Sequence, residues 1–219
     1  KAIIRFRYFA NKVSKNNIRT CYILKCDIRK FFANIDHKIL LDILNSYIED
    51  KQIIWLINEV ISSFYSTRQG IGLPLGNLAS QLFVNIYMNE FDKFIKHKLR
   101  VKYYIRYADD FVILDDNKDY LQNLIFLINE FLLNQLKLQL HPNKVSIKTL
   151  NSGIDFLGWV NFPYYRVLRT VAKRRIFRRI KVYSVSEVLN SYLGLLSHGN
   201  AHKIRDKLLN MYYNNFIKA

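Results

Sequence analysis

Apolar positions along the chain change their spacing several times, and each change predicts an element. Residues 1–13 read as a basic amphipathic helix, broken by the polar run Ser14-Lys-Asn-Asn17. Cys21 to Asp27 reads as a buried strand. Between residues 37 and 65 apolar side chains recur at helical spacing (Ile39, Leu40, Ile43, Leu44, Tyr47, then Ile53, Ile54, Leu56, Ile57, Val60, Ile61). A break near Glu49-Asp50 divides that stretch into two helices. Gly70-Ile-Gly-Leu-Pro-Leu-Gly76 is the densest Gly/Pro cluster and predicts a loop. A helix over about Leu78 to Leu99 follows, with Asn77 as its N-cap. Aromatic and β-branched residues then predict a hairpin over Tyr103 to Leu114. After it come a helix over 118–135, a strand and turn over 137–149, a hairpin over 154–169 and a basic helical tail. No repeat of 20–50 residues is visible. The irregular interleaving predicts an α+β fold, an antiparallel sheet bearing helices on one face.

Composition narrows the partners. The chain has 219 residues, half of them hydrophobic, enough for a real core and against disorder. Its formal net charge of +17 calls for a polyanionic partner, nucleic acid first and an acidic membrane surface second. No apolar run approaches a membrane span and no signal peptide opens the chain, so no membrane role is expected. Cys21 and Cys26 have no partners at zinc-site spacing and read as reduced thiols of a cytoplasmic protein. The opening residues look like mid-helix sequence without an initiator Met, as expected of a fragment.

The candidate chemistry lies in acids at strand ends. Asp109 and Asp110 sit between two β-forming runs, and adjacent carboxylates are costly to hold together unless a positive charge lies between them. Mg²⁺ is the natural candidate, since it takes one or two carboxylates plus substrate phosphate oxygens. Alone, such a pair is more often a solvated hairpin turn. Asp27 ends its own strand far away in sequence and could meet Asp109 in a shared sheet; alone, it would more often cap the following turn. Three acids can bind two metals about 3.5–4 Å apart, the arrangement that supports in-line phosphoryl transfer.

Five segments in order resemble reverse transcriptases: Asp27-Ile-Arg-Lys-Phe-Phe32, the Gly72 to Gln81 loop, Tyr107-Ala-Asp-Asp110, Asn143-Lys144 and Phe156-Leu-Gly-Trp159. The resemblance implies a right-hand polymerase fold that copies RNA into DNA. It implies partial fingers (1–20 and 38–76), a palm (21–37 and 77–168) and a partial helical thumb (169–219). Asp27, Asp109 and Asp110 match the metal-binding acids, holding two Mg²⁺ ions, with Mn²⁺ as the alternative. Phe32 matches the aromatic gate beneath the nucleotide sugar, with Phe31 packing inward. Lys144 matches the general acid to pyrophosphate, and Phe156, Leu157, Gly158 and Trp159 match the primer grip. Lys173, Arg174, Arg175, Arg178, Arg179 and Lys181 would form a cationic helix face for nucleic-acid phosphates, or else a membrane or partner surface.

Leu75-Gly76-Asn-Leu-Ala-Ser80-Gln81 would border the nascent base pair, and Gly76 admits close backbone approach. It carries Leu-Gly and Ser-Gln where many reverse transcriptases, those of group II introns included, carry Gln-Gly and Ser-Pro. That variant resembles the enzymes of diversity-generating retroelements, which miscopy template adenines. Retron, group II intron-like and phage-defence enzymes are the alternatives. The implied partners are an RNA template, a DNA or RNA primer, dNTPs and a small basic accessory protein. The rivals are a nucleic-acid-binding module without turnover, against which the three acids speak, and an RNA-directed RNA polymerase, against which Phe32 speaks.

Overall fold

Capping residues and breakers set the element bounds. In the computed structural model, which describes residues 1–182 and 185–216, the chain runs α1 (Ala2–Val13), β1 (Tyr22–Asp27), α2 (His37–Asn45), α3 (Lys51–Ser62), α4 (Leu78–Lys93), β2 (Tyr104–Tyr107) and β3 (Asp110–Asp115). It continues with α5 (Lys118–Leu136), β4 (Ser146–Thr149), β5 (Ile154–Phe156), β6 (Trp159–Asn161), β7 (Arg166–Leu168), α6 (Thr170–Val182), α7 (Ser186–Leu196) and α8 (His202–Phe216). Residues 183–184 and 217–219, part of the expected 169–219 segment, lie outside the described residues. Asp36, Asp50, Asn77 and Asn117 each accept a first-turn N–H and start α2, α3, α4 and α5. α4 runs on into a π-helical turn, Phe94–Lys98.

The main sheet is antiparallel in the order β2-β3-β1-β4. Side chains alternate along it. Leu24, Cys26, Phe111 and Ile113 point to one face and join a core with Leu40 of α2, Phe91 of α4 and Ile128 of α5. These three helices cover that face as the sequence predicts. Ile23, Val112 and Leu114 point the other way, onto Phe6, Phe9 and Val13 of α1. α1 therefore covers the opposite face, which its basic amphipathic pattern leaves open. Burying side chains such as Phe91 or Leu24 contributes about 1.5–3 kcal/mol each.

Where one hairpin is expected over 154–169, the chain forms a three-stranded meander, β5-β6-β7. The turn between β6 and β7 is closed by Phe162 stacking on Tyr165, 4.8 Å between ring centroids. A third core joins Trp159 and Leu168 to Ile176 and Ile180 of α6, Leu189 of α7 and Leu208 of α8. Among the described residues no helix is long and apolar enough to cross a membrane.

Candidate active site

The β2/β3 hairpin pairs Tyr107 with Asp110, which leaves Ala108 and Asp109 as a two-residue turn. Ala108 has φ +53°, the positive value that such turns require at their first central position. Asp109 thus stands at the turn and Asp110 at the first position of β3. The β1/β3 register sets Asp27 directly opposite Asp110, and Ile28 N–H donates to the Asp109 carbonyl at 3.2 Å. Period-two alternation puts Asp27 and Asp110 on the face of Ile23 and Val112. Three carboxylates from two distant segments therefore meet at one end of the central strand pair.

Two lysines answer this charge. Lys144 Nζ lies 3.1 Å from both oxygens of Asp27. Lys25 Nζ lies 3.4 Å from Asp110 Oδ2 and donates to the Asp155 carbonyl at 2.6 Å. Asp110 Oδ1 is buried and has no partner. Burial, the largest cause, pushes the Asp110 carboxyl up to about 6; Lys25 opposes the rise, and the charges of Asp27 and Asp109 add to it. Burial also raises Asp109, with Asp27 adding and Lys144 opposing.

An orphaned carboxylate oxygen beside two further acids is a donor set that suits Mg²⁺ or Mn²⁺. Among the described residues no three His, Cys, Asp or Glu side chains enclose a common point, and Asp27 and Asp110 are each paired with a lysine.

Asp27 and Asp109 border an open cleft of about 490 Å³ shared with Phe32, Leu75, His141 and Lys144. Phe31 is buried in the core, whereas Phe32 is half-buried and meets it edge-on at 5.5 Å. The Gly-rich loop is stitched to the same segment. Gly72 N–H donates to the Ile35 carbonyl and Leu73 N–H to that of Phe32, both at 2.8 Å. His37 Nε2 donates to the Gly72 carbonyl at 2.6 Å. Leu75, Gly76 and Gln81 are exposed.

Two expectations need correction. Ser80 is only 2% exposed on the core side of α4 and does not line the cleft with Leu75. Phe156 and Trp159 are also buried, the first against Phe6 in the α1 core and the second among α6, α7 and α8. Of the four, only Leu157 (φ +53°) and Gly158 (φ +82°), at the turn between them, are partly exposed. The six cations from Lys173 to Lys181 are all exposed on α6, while Ile176 and Ile180 are buried.

Some site residues escape the motif reading. Lys25 could have been found from its spacing, two residues before Asp27 on a strand, hence on the same face. Arg29 and Lys30 line the cleft and follow Asp27 directly. The contact of His37 with Gly72, thirty-five residues on, has no local sequence signal.

An antiparallel sheet backed by helices, with carboxylates at one end of its central strand pair, is the arrangement of a right-hand polymerase fold. Residues 2–160 match the family described as reverse transcriptase (RNA-dependent DNA polymerase), and the chain belongs to that family. It is 24% identical to the putative COX1/OXI3 intron 2 protein of Saccharomyces cerevisiae, over 87% of this chain and 31% of that protein. It is also 24% identical to the group II intron-encoded protein LtrA of Lactococcus lactis, over 63% of this chain and 34% of the relative. The chain thus spans about a third of the length of these two relatives. Among solved structures it resembles telomerase from Candida albicans in complex with a TWJ fragment of telomeric RNA. That match has a TM-score of 0.61 and 10% identity, over all of this chain and 44% of the other. Apo telomerase from Candida tropicalis truncated from its C-terminal domain gives a TM-score of 0.58 at 16% identity, over 76% of this chain and 39% of the other. The fold is that of a partial right-hand polymerase, α+β with an antiparallel sheet.

Proposed function

We propose that the chain is the catalytic part of an RNA-directed DNA polymerase that extends a DNA or RNA primer along an RNA template. The observation that carries this reading is the meeting of Asp27, Asp109 and Asp110 at one end of the β1/β3 pair, with Asp27 and Asp109 on a cleft bordered by Phe32. Asp27 and Asp109, with Asp110, would hold two Mg²⁺ ions. Bound there, divalent cations acidify the primer hydroxyl and offset the charge on the triphosphate. Phe32 sets the floor under the sugar and excludes a 2′-hydroxyl. Lys144 holds the proton that the departing pyrophosphate takes. Arg29 and Lys30 lie at the cleft wall and supply positive charge for the triphosphate. The Leu157-Gly158 turn steadies the primer end, and the exposed cations of α6 take duplex phosphates without reading sequence. In this reading residues 21–37 and 77–168 serve as palm, 1–20 and 38–76 as fingers, and 169–219 as thumb.

Two readings of the element it serves have support. Leu75 stands 80% exposed at the cleft rim in place of an amide that could bond the template or primer. This favours an error-prone enzyme of a diversity-generating retroelement, working with a small basic accessory protein. The intron-encoded relatives favour a group II intron-like enzyme equally. The test is Mg²⁺-dependent dNTP incorporation on a primed RNA template, wild type against Asp109→Asn. Incorporation abolished by the substitution supports the polymerase reading; equal incorporation by both proteins sinks it. Sequencing the product then separates the two: errors concentrated opposite template adenines support the retroelement, and an even error spectrum the intron type.

A further inference from the structure

The turn that carries Asp109 is held from behind the sheet. Alternation along β2 directs Tyr104 and Arg106 toward α4, away from the face of Asp27 and Asp110. There Arg106 Nε donates to Asp92 Oδ1 at 2.9 Å and Nη2 to Asp92 Oδ2 at 2.7 Å. Its third nitrogen, Nη1, donates to the Ala108 carbonyl at 3.1 Å. The Tyr104 hydroxyl donates to Asp92 Oδ1 at 2.7 Å, so the carboxylate that anchors the guanidinium is itself fixed on the last turn of α4. The Arg106 side chain is only 10% exposed.

Ala108 needs such a hold. With φ +53° and a Cβ, it occupies a region that relaxes unless its surroundings over-determine it. We infer that Arg106 is a positioning residue: clamped on Asp92, it fixes the Ala108 peptide and thereby aims the Asp109 carboxylate one residue on. The role requires the planar fork, which serves both oxygens of Asp92 and the Ala108 carbonyl at once. A lysine keeps the charge but offers a single point of donation. The inference rests on the polymerase reading for its catalytic meaning, though the clamp can be measured without turnover.

The test compares wild type with Arg106→Lys and with the double variant Arg106→Gln/Asp92→Asn, which leaves no buried charge unpaired and so protects the fold. Two readouts are taken: steady-state primer extension on an RNA template, and amide hydrogen exchange by mass spectrometry across the chain. The expected result is kcat lower by about tenfold or more with the dNTP KM within about twofold. Faster exchange is expected only in peptides covering residues 104–111. Wild-type kcat in either folded variant overturns the inference, as does exchange that quickens evenly over the whole chain, the sign of a merely structural residue. If the wild type extends no primer yet exchange responds only at the turn, the clamp stands and the polymerase reading falls.

Discussion

Lys144 Nζ grips Asp27 through both carboxylate oxygens at 3.1 Å, so the ammonium occupies the ground a divalent cation would need on that acid. The lysine is more than half exposed, and such pairs contribute at most about 1 kcal/mol. Lys144→Ala should therefore tighten Mn²⁺ binding by about three- to fivefold, read by titration calorimetry. In the proposed polymerase the same variant should slow incorporation at saturating metal, because the group that would protonate pyrophosphate is gone. Weaker Mn²⁺ binding would show that the lysine assembles the acids and does not compete for them.

Asp110 makes stability depend on pH. Its carboxyl titrates at about 6 when folded, against about 3.9 for a free aspartate, so the folded state holds the proton more tightly. Such a group costs stability above its folded pKa; the cost fades as pH falls from that value toward the unfolded one and is gone below it. In cation-free buffer Asp110→Asn should stabilise the protein at pH 7.5 by on the order of 2 kcal/mol, converging with wild type near pH 4. Calorimetric melts at the two pH values check this. Saturating Mg²⁺ should raise the wild-type Tm and leave the variant nearly unmoved.

Phe32 stands half-buried at the cleft while Phe31 fills the core, so only one ring of the pair is free to meet a sugar. Phe32→Ala should lower discrimination against rNTPs by on the order of tenfold or more, measured as the ratio of kcat/KM values. Phe31→Ala should instead lower Tm with little change in that ratio. Sugar selectivity equal to wild type in Phe32→Ala would remove the gate role.

Gly199 lies against the indole of Trp159, where an added Cβ would overlap the ring. Gly199→Ala should cost about 1–3 kcal/mol and lower Tm by about 3–8 °C. The Trp159 fluorescence should report the disturbance, since the other tryptophan, Trp55, is exposed on α3. A variant with wild-type Tm and emission would mean that the C-terminal helices yield around the ring.

What could be read from the sequence depended on how local its cause was. Asp27, Asp109 and Asp110 were visible because β-forming runs end at them, and strand ends and tight turns have short-range signatures. The inward Phe31 and outward Phe32 followed from their order, and Asn77 from its cap chemistry. Phe156 and Trp159 were assigned to the primer because a short aromatic hairpin does not reveal what covers it. The covering groups, Phe6 of α1 and Ile180 of α6, lie far off on either side in sequence. The third strand was missed because Phe162 to Tyr165 read as part of one hairpin and turned out to be its second turn. Arg106 has no local signal for its role, because only the packing of α4 brings Asp92 beneath it.

Phe156 and Trp159 flank a two-residue turn yet are rooted in different cores, one against α1 and one among α6, α7 and α8. Any swing of the C-terminal helices against the main sheet must therefore shear or twist the β5/β6 ladder, whose registered pairs end at that turn. In the proposed polymerase that ladder ends at the turn that would steady the primer, so strain from tilting helices would be felt there, and stiffening the turn should alter processivity before chemistry.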